Sequence, residues 1–366
     1  MPLPLIIGAA ALATAAYGAK KGYDGYHKHS EADEIVKSAQ HRYEREKEIF
    51  DEHDKDTTSA LEILGKKELI IGKDIGEFKI LSDNLLERIK KFDNKEFKIN
   101  IPKHRLKKVE AYSYTATAVL GSMAGAGAAG AAAGFAVYGG VMAIGVASTG
   151  TPIAALSGVA ASNAALAAIG GGSLATGGLG VAGGTAILSA AVAAPILAVA
   201  GWAYNSHGEE SLRNAKEASN EVDEAIKKID RAISQLIETE EYTRKITHQL
   251  RLIHRKFTQH FDSLKDIENF LQDIQGRNID VDSELAKFND EIINIIENGY
   301  AVAAILVDLI TTPIFKVKIS DDSIIQNENE TPEMELDENG AMILNTQKLD
   351  EKLLEVEIKA SEIESA

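Results

Sequence analysis

No cysteine occurs among the 366 residues, which excludes disulfides, thiolate metal sites and thiol nucleophiles. A second absence is larger. From Ala111 to Gly208 there is no Asp, Glu, Lys or Arg, a run of 98 residues, so all 94 charged side chains fall in the other 268. The mean hydropathy of −0.10 hides this segregation. Basic stripes interleaved with aromatics are missing as well, which argues against nucleic acid as a partner. The net charge of −16 is local: residues 319–366 carry 14 acids and 3 lysines, leaving only −5 for residues 1–318. No Ser/His/Asp or paired-carboxylate constellation is legible, so the sequence does not read as an enzyme.

What is present has a clear order. Residues 1–19 are uncharged and are followed by Lys20 and Lys21. Nineteen helical residues at about 1.5 Å each approach the thickness of a bilayer core. A cleaved signal is the rival reading, with Ala13-Thr-Ala15 as its cleavage site. The lack of Lys or Arg before the apolar run favours an anchor or buried apolar helix.

Residues 29–93 form a first amphipathic arm. Val36, Ala39, Tyr43, Phe50, Thr57, Leu61, Leu64, Ile71, Ile75, Phe78, Leu85, Ile89 and Phe92 follow alternating steps of three and four, with Glu46 and Glu68 on missing steps. The arm reads as one long helix or coiled coil whose candidate break is at Gly65, Gly72 or Gly76. Residues 94–110 read as a basic connector, extended at first.

A second arm covers 209–275 without Gly or Pro. Val222, Ile226, Ile229, Ile233 and Leu236 lead, after a phase slip at Thr239 and Tyr242, to Ile246, Leu250, Ile253 and Phe257. A further helix over about 283–298 and a short apolar run from Gly299 to Phe315 complete residues 283–318. In the acidic tail, 319–366, Leu349, Leu353, Val356 and Ile363 predict one last helix.

The charge-free insert, 111–208, contains 31 Ala and 20 Gly. Small residues four apart let helix backbones approach closely; Gly121 with Gly125, and Gly130 with Gly134, carry that spacing, with Ala126 and Ala129 filling the same stripe. Turn signals at Ser148–Pro152 and Gly170–Gly172 divide the insert into two or three helical passes. The basic residues Lys103, Arg105, Lys107 and Lys108, like Lys20 and Lys21, place their flanks on the cytoplasmic side. Pairing of the two arms on one face then favours an even number of passes, a hairpin. Ala and Gly insert into a bilayer only marginally, which favours a segment held between soluble arms and then released.

The run Ser148-Thr-Gly-Thr-Pro-Ile-Ala-Ala-Leu-Ser-Gly-Val-Ala-Ala-Ser-Asn-Ala164, with Ala168-Ile-Gly-Gly-Gly-Ser-Leu-Ala-Thr-Gly-Gly-Leu-Gly-Val-Ala-Gly-Gly184, resembles a bacterial family of poorly characterised glycine-zipper proteins. The Met-Pro-Leu-Pro start is similar too, and the likeness covers roughly residues 1–318. In layout the chain looks like apolipoprotein-L-type and α-helical pore-forming proteins. Neither resemblance implies site residues or a defined activity.

Other candidate chemistry is weak. Two G-x-G-x-x-G matches, Gly125–Gly130 and Gly178–Gly183, have no acid following at the distance a dinucleotide site requires. His248, His254 and His260, at six-residue steps, do not share a helix face and read as solvated, so no metal or cofactor is expected. Asp308, inside an apolar run, reads as lying at the rim of a packed helix.

The expectation is therefore an all-α protein, with long amphipathic helices flanking a Gly/Ala-rich hydrophobic hairpin. It would be membrane-associated with most of the chain cytoplasmic, and soluble before insertion. Its partners would be the lipid bilayer, further copies of itself as a homo-oligomer, and a protein bound through the arms or the acidic tail. The function expected is membrane insertion with permeabilisation. The alternative is a coiled-coil scaffold or sensor, anchored to the cytoplasmic membrane without a pore.

Overall fold

The computed structural model describes residues 22–92, 102–123, 132–141, 208–277, 280–320, 323–325, 332–338 and 341–365. The N-terminal apolar segment with Lys20 and Lys21, most of the expected hairpin, and Gly125 and Gly130 lie outside them. The described chain is all-α, with very little strand. Helix α1 is Gly22–Phe92, α2 is Lys103–Met123, α3 is Ala132–Val141 and α4 is Gly208–Gly276. The short α5, Val281–Leu285, and a 3₁₀ turn, Ala286–Phe288, lead into α6, Asn289–Ile310. The last helix, α7, is Thr346–Ser365.

The two arms match the apolar seams read from the sequence, and three boundaries differ. Helix α1 runs unbroken through Gly65, Gly72 and Gly76, the first two packed tightly against α3 and α2. Residues 103–110 are already helix, so the basic part of the connector is the first turns of α2. The helix expected to stop before Gly299 continues through it to Ile310. It ends where the Thr311 and Thr312 amides donate to Val307 and Leu309 and Pro313 prevents continuation.

Between α6 and α7 the acidic tail opens with a small antiparallel β-cluster that the sequence reading missed. Ile319–Ser320 (β1) pairs with Ser323–Ile324 (β2), and bridges join Phe315 to Leu344, Val317 to Met334 and Leu336 to Met342. Its inward residues, Phe315, Met334, Met342 and Leu344, are buried.

The chain divides into two compact units. One holds α1 up to Lys55 and α4 up to Leu236. Its seam contains Ala39 and Phe50 on α1 and Val222, Ala225 and Ile229 on α4, all buried. At its margin Arg42 donates to Asp223 Oδ1 at 2.9 Å and to Ser219 Oγ at 3.0 Å.

The other unit holds the remainder of both long helices and every other described element. In it α1 and α4 lie parallel: Asp74 meets His254 and Arg88 meets Glu268. Phe78 sits edge-on to Phe257 at 5.2 Å, Phe261 at 6.0 Å and Tyr300 at 5.2 Å. Helix α2 runs back along α1, with Lys79 near Glu110 and Glu68 near Tyr112.

Two mid-helix glycines one turn apart on α1 have opposite surroundings. A Cβ at Gly72 would collide with the Cβ of Ala116, whereas one at Gly76 would meet Thr117 Oγ1 at an ordinary 3.6 Å. Alanine is otherwise preferred to glycine in a helix interior by roughly 1 kcal/mol. Gly76→Ala should therefore raise the melting temperature. Gly72→Ala should lower stability by about 1–3 kcal/mol through overpacking, and thermal and urea unfolding of the two variants check the sign of each.

Candidate functional site

One stretch of the charge-free insert, helix α3, occupies the core of the second unit. All ten residues of α3 are buried. None has a charged side chain, so the helix has no face suited to water and must be enclosed all round. Two glycine contacts let it seat closely. Backbone atoms of Ala132 occupy the space a Gly65 side chain would need, and a side chain at Gly140 would strike the Ile310 carbonyl. Phe135, fully buried, lies 6.3 Å from the Tyr112 ring.

An ion cluster sits where α2 leads into this insert. Arg105 Nη2 donates to Asp308 Oδ2 at 2.7 Å, and Lys108 Nζ donates to Oδ1 at 2.9 Å. Burial pushes the Asp308 carboxyl up, but hydrogen bonds and charge from Lys108 and then Arg105 outweigh it and hold it below the usual carboxylate range. The sequence places Asp308 at the rim of a packed helix and Arg105 and Lys108 on a flank; the structure brings the three together. Lys103 and Lys107 are exposed on the same helix.

A second polar line crosses the interior of this unit. Glu68, one of the missing steps of the α1 seam, is 2% exposed, and its Oε2 has no hydrogen-bond partner. Burial pushes its carboxyl well above the ordinary range. The Tyr112 hydroxyl donates to the Glu68 backbone carbonyl at 2.8 Å. One residue earlier, Lys67 Nζ lies 2.6 Å from His254 Nδ1, and His254 Nε2 lies 2.8 Å from Asp74 Oδ2. With the ammonium donating to Nδ1, the tautomer that fits carries its proton on Nε2 and donates to Asp74. Desolvation lowers Lys67, opposed by Asp74 and reinforced by Arg251.

The histidine expectation is thus corrected in part. His248 is exposed, His260 is half-buried, and His254 is buried. The missed signal is that Leu250, His254, Phe257 and Phe261 form a 4-3-4 step of their own.

The zipper positions fare differently from one another. Gly121 is exposed at the end of α2 with nothing near it, while Gly134 is buried in α3. Among the described residues, helices meet closely at Gly65, Gly72, Gly140 and Gly299, the last against the Phe78 ring. Among the described residues, Ala286–Ile310 is the stretch long and apolar enough to cross a membrane. Here it packs within the bundle, with Ile292, Ile296, Val302, Leu306 and Leu309 buried. No group of three metal-ligating side chains occurs among the described residues.

Comparison of the chain with family models, with curated proteins and with solved structures finds no match.

Two outcomes follow from the charge chemistry. Asp308 is lowered on folding, so its contribution is present above the unfolded value near pH 3.9 and is lost as pH falls through the folded one. Asp308→Asn should cost about 2 kcal/mol at pH 7, leaving Arg105 and Lys108 facing each other, and should lack that acid-limb loss in urea titrations. Glu68 is raised, so its burial weakens folding progressively as pH rises above about 4.3. Glu68→Gln should gain about 1–3 kcal/mol at pH 7, the gap closing toward pH 4; a gap constant with pH would contradict this account.

Proposed function

We propose that this protein is a membrane-active helical bundle that keeps α3, part of its charge-free insert, in its core and releases the insert into a bilayer. The observation that carries this reading is the enclosure of α3. A helix without a polar face, continuous in sequence with a further run of uncharged residues, is walled off from water inside an otherwise highly charged molecule. Release exchanges protein contacts for lipid, a near-neutral exchange for Ala and Gly, whose insertion is marginal without helix–helix packing. The Arg105–Lys108–Asp308 cluster sits at the entry to the insert, so it has to loosen before α2 and α3 move apart from α6.

In this reading the released insert assembles through its small-residue faces in the manner of a glycine zipper and permeabilises the bilayer. The anchored scaffold differs in one observable respect, since it binds membranes without leakage.

The experiment is release of size-graded dyes from liposomes by the full-length chain, beside Leu197→Asp. That substitution puts a charge in the insert at a cost of about 2.5–3.5 kcal/mol in a bilayer centre. Leakage with a size cut-off for the natural sequence, strongly reduced in Leu197→Asp at unchanged helicity, is expected. Liposome flotation without leakage would favour the anchored scaffold. Neither flotation nor leakage across pH 4.5–7.5 would sink the membrane reading and leave the insert as a core.

A further inference from the structure

The outward face of α1 in the second unit carries an unusual stripe. Ile63, Lys66, Ile70, Lys73, Glu77 and Ile80 follow steps of 3-4-3-4-3, all exposed. The isoleucines are 53%, 48% and 64% exposed, while the opposite seam of the same helix, from Leu61 to Leu85, is in the core. Three large β-branched side chains thus stand in one exposed line outside the core of this unit. Their spacing is that of the a and d positions of a coiled coil.

The order of residue types along the stripe matters more than the spacing. Turned end for end about its centre, between Ile71 and Gly72, it complements itself. Ile63 then faces Ile80 of the partner copy, Lys66 faces Glu77, and Ile70 faces the aliphatic stem of Lys73, whose ammonium reaches water. Each contact occurs twice, as a two-fold interface requires. A parallel pairing in register would instead set Lys66 on Lys66, Lys73 on Lys73 and Glu77 on Glu77, which is repulsive. Within one chain Lys66 already meets Glu62 at 3.4 Å and Lys73 meets Glu77 at 3.3 Å, so an antiparallel partner extends alternating charge rather than stranding it. Beyond the stripe, Asp56 would face Glu87, a like-charge pair that limits the interface to residues 63–80.

We infer that a second copy of this chain docks antiparallel on the α1 stripe Ile63–Ile80, in the register that sets Ile63 against Ile80 and Lys66 against Glu77. The stripe spans about 27 Å, and six side chains per copy fall well below the roughly 20–30 of a standard interface. The dimer should therefore be weak and concentration-dependent. The inference does not rest on the membrane reading, since it concerns a water-exposed helix face and is tested without lipid.

The natural absence of cysteine makes the register directly measurable. Ile63→Cys and Ile80→Cys are made separately in the full-length chain; both sites are exposed, so neither should disturb the fold. In the antiparallel register a residue and its own copy lie about 25 Å apart, too far for a disulfide. Each single variant alone should remain without a cross-link under mild oxidation, and an equal mixture should form a 63–80 linked dimer, at least ten times more abundant than any linked species of either variant alone. In sedimentation equilibrium, Lys66→Glu should weaken association of the cysteine-free chain several-fold, and adding Glu77→Lys should restore it. Efficient 63–63 linkage would point to a parallel pairing. Absence of a mixed dimer, or failure of the double charge swap to restore association, would also overturn the proposal.

Discussion

A helix without a polar face has to be surrounded, and much of the second unit follows from surrounding α3. Its walls are α1, met at Gly65, the end of α6, met at Gly140, and α2 through Tyr112. Close approach is what makes the enclosure tight. Where two backbones touch there is no room for a side chain, and dispersion contacts replace water on every side. Gly65 and Gly72, which would weaken an isolated α1, are thus places where a neighbouring helix leaves no room for a side chain. The apolar α6, long enough to span a bilayer, serves the same end as a wall of the core.

Such an interior leaves little room for polar error, and the polar groups inside it fall into two kinds. At the margin, Arg105, Lys108 and Asp308 satisfy one another with short charge-assisted contacts. The Lys67–His254–Asp74 line is likewise satisfied, with His254 stacked on Phe257 at 6.2 Å. Glu68 is of the second kind: a carboxyl oxygen is buried with no donor facing it. A group of that sort lowers stability and makes it pH-dependent. The same unit therefore holds one carboxyl that strengthens the fold when ionised and another that weakens it.

The long arms were legible because a seam repeated over some seventy residues is a strong signal, and its positions from Phe50 to Ile89 and from Leu236 to Ile274 are largely those found in the core. Even Glu68 stood on a seam step in the sequence. What was not legible depended on contacts distant in sequence. Gly65 and Gly72 look like helix breakers until Ala132 and Ala116 are seen against them. Asp308 and Arg105 are 203 residues apart, so no local pattern in the sequence pairs them. The β-cluster was hidden by its brevity: strands of two residues and single bridges give too few alternations to stand out from an acidic composition.

The parallel register of α1 and α4 has a consequence for the newborn chain. Asp74 finds His254, and Arg88 finds Glu268, each pair 180 residues apart. At translation speeds of about 5–20 residues per second, α1 waits roughly 10–40 s for the helix that covers its seam. Over that interval the nearest cover available is α2, which follows it and folds back along the same helix. The seam that makes the mature bundle stable is therefore, during synthesis, an exposed apolar strip, and the order in which helices leave the ribosome gives α2 the first chance to shield it.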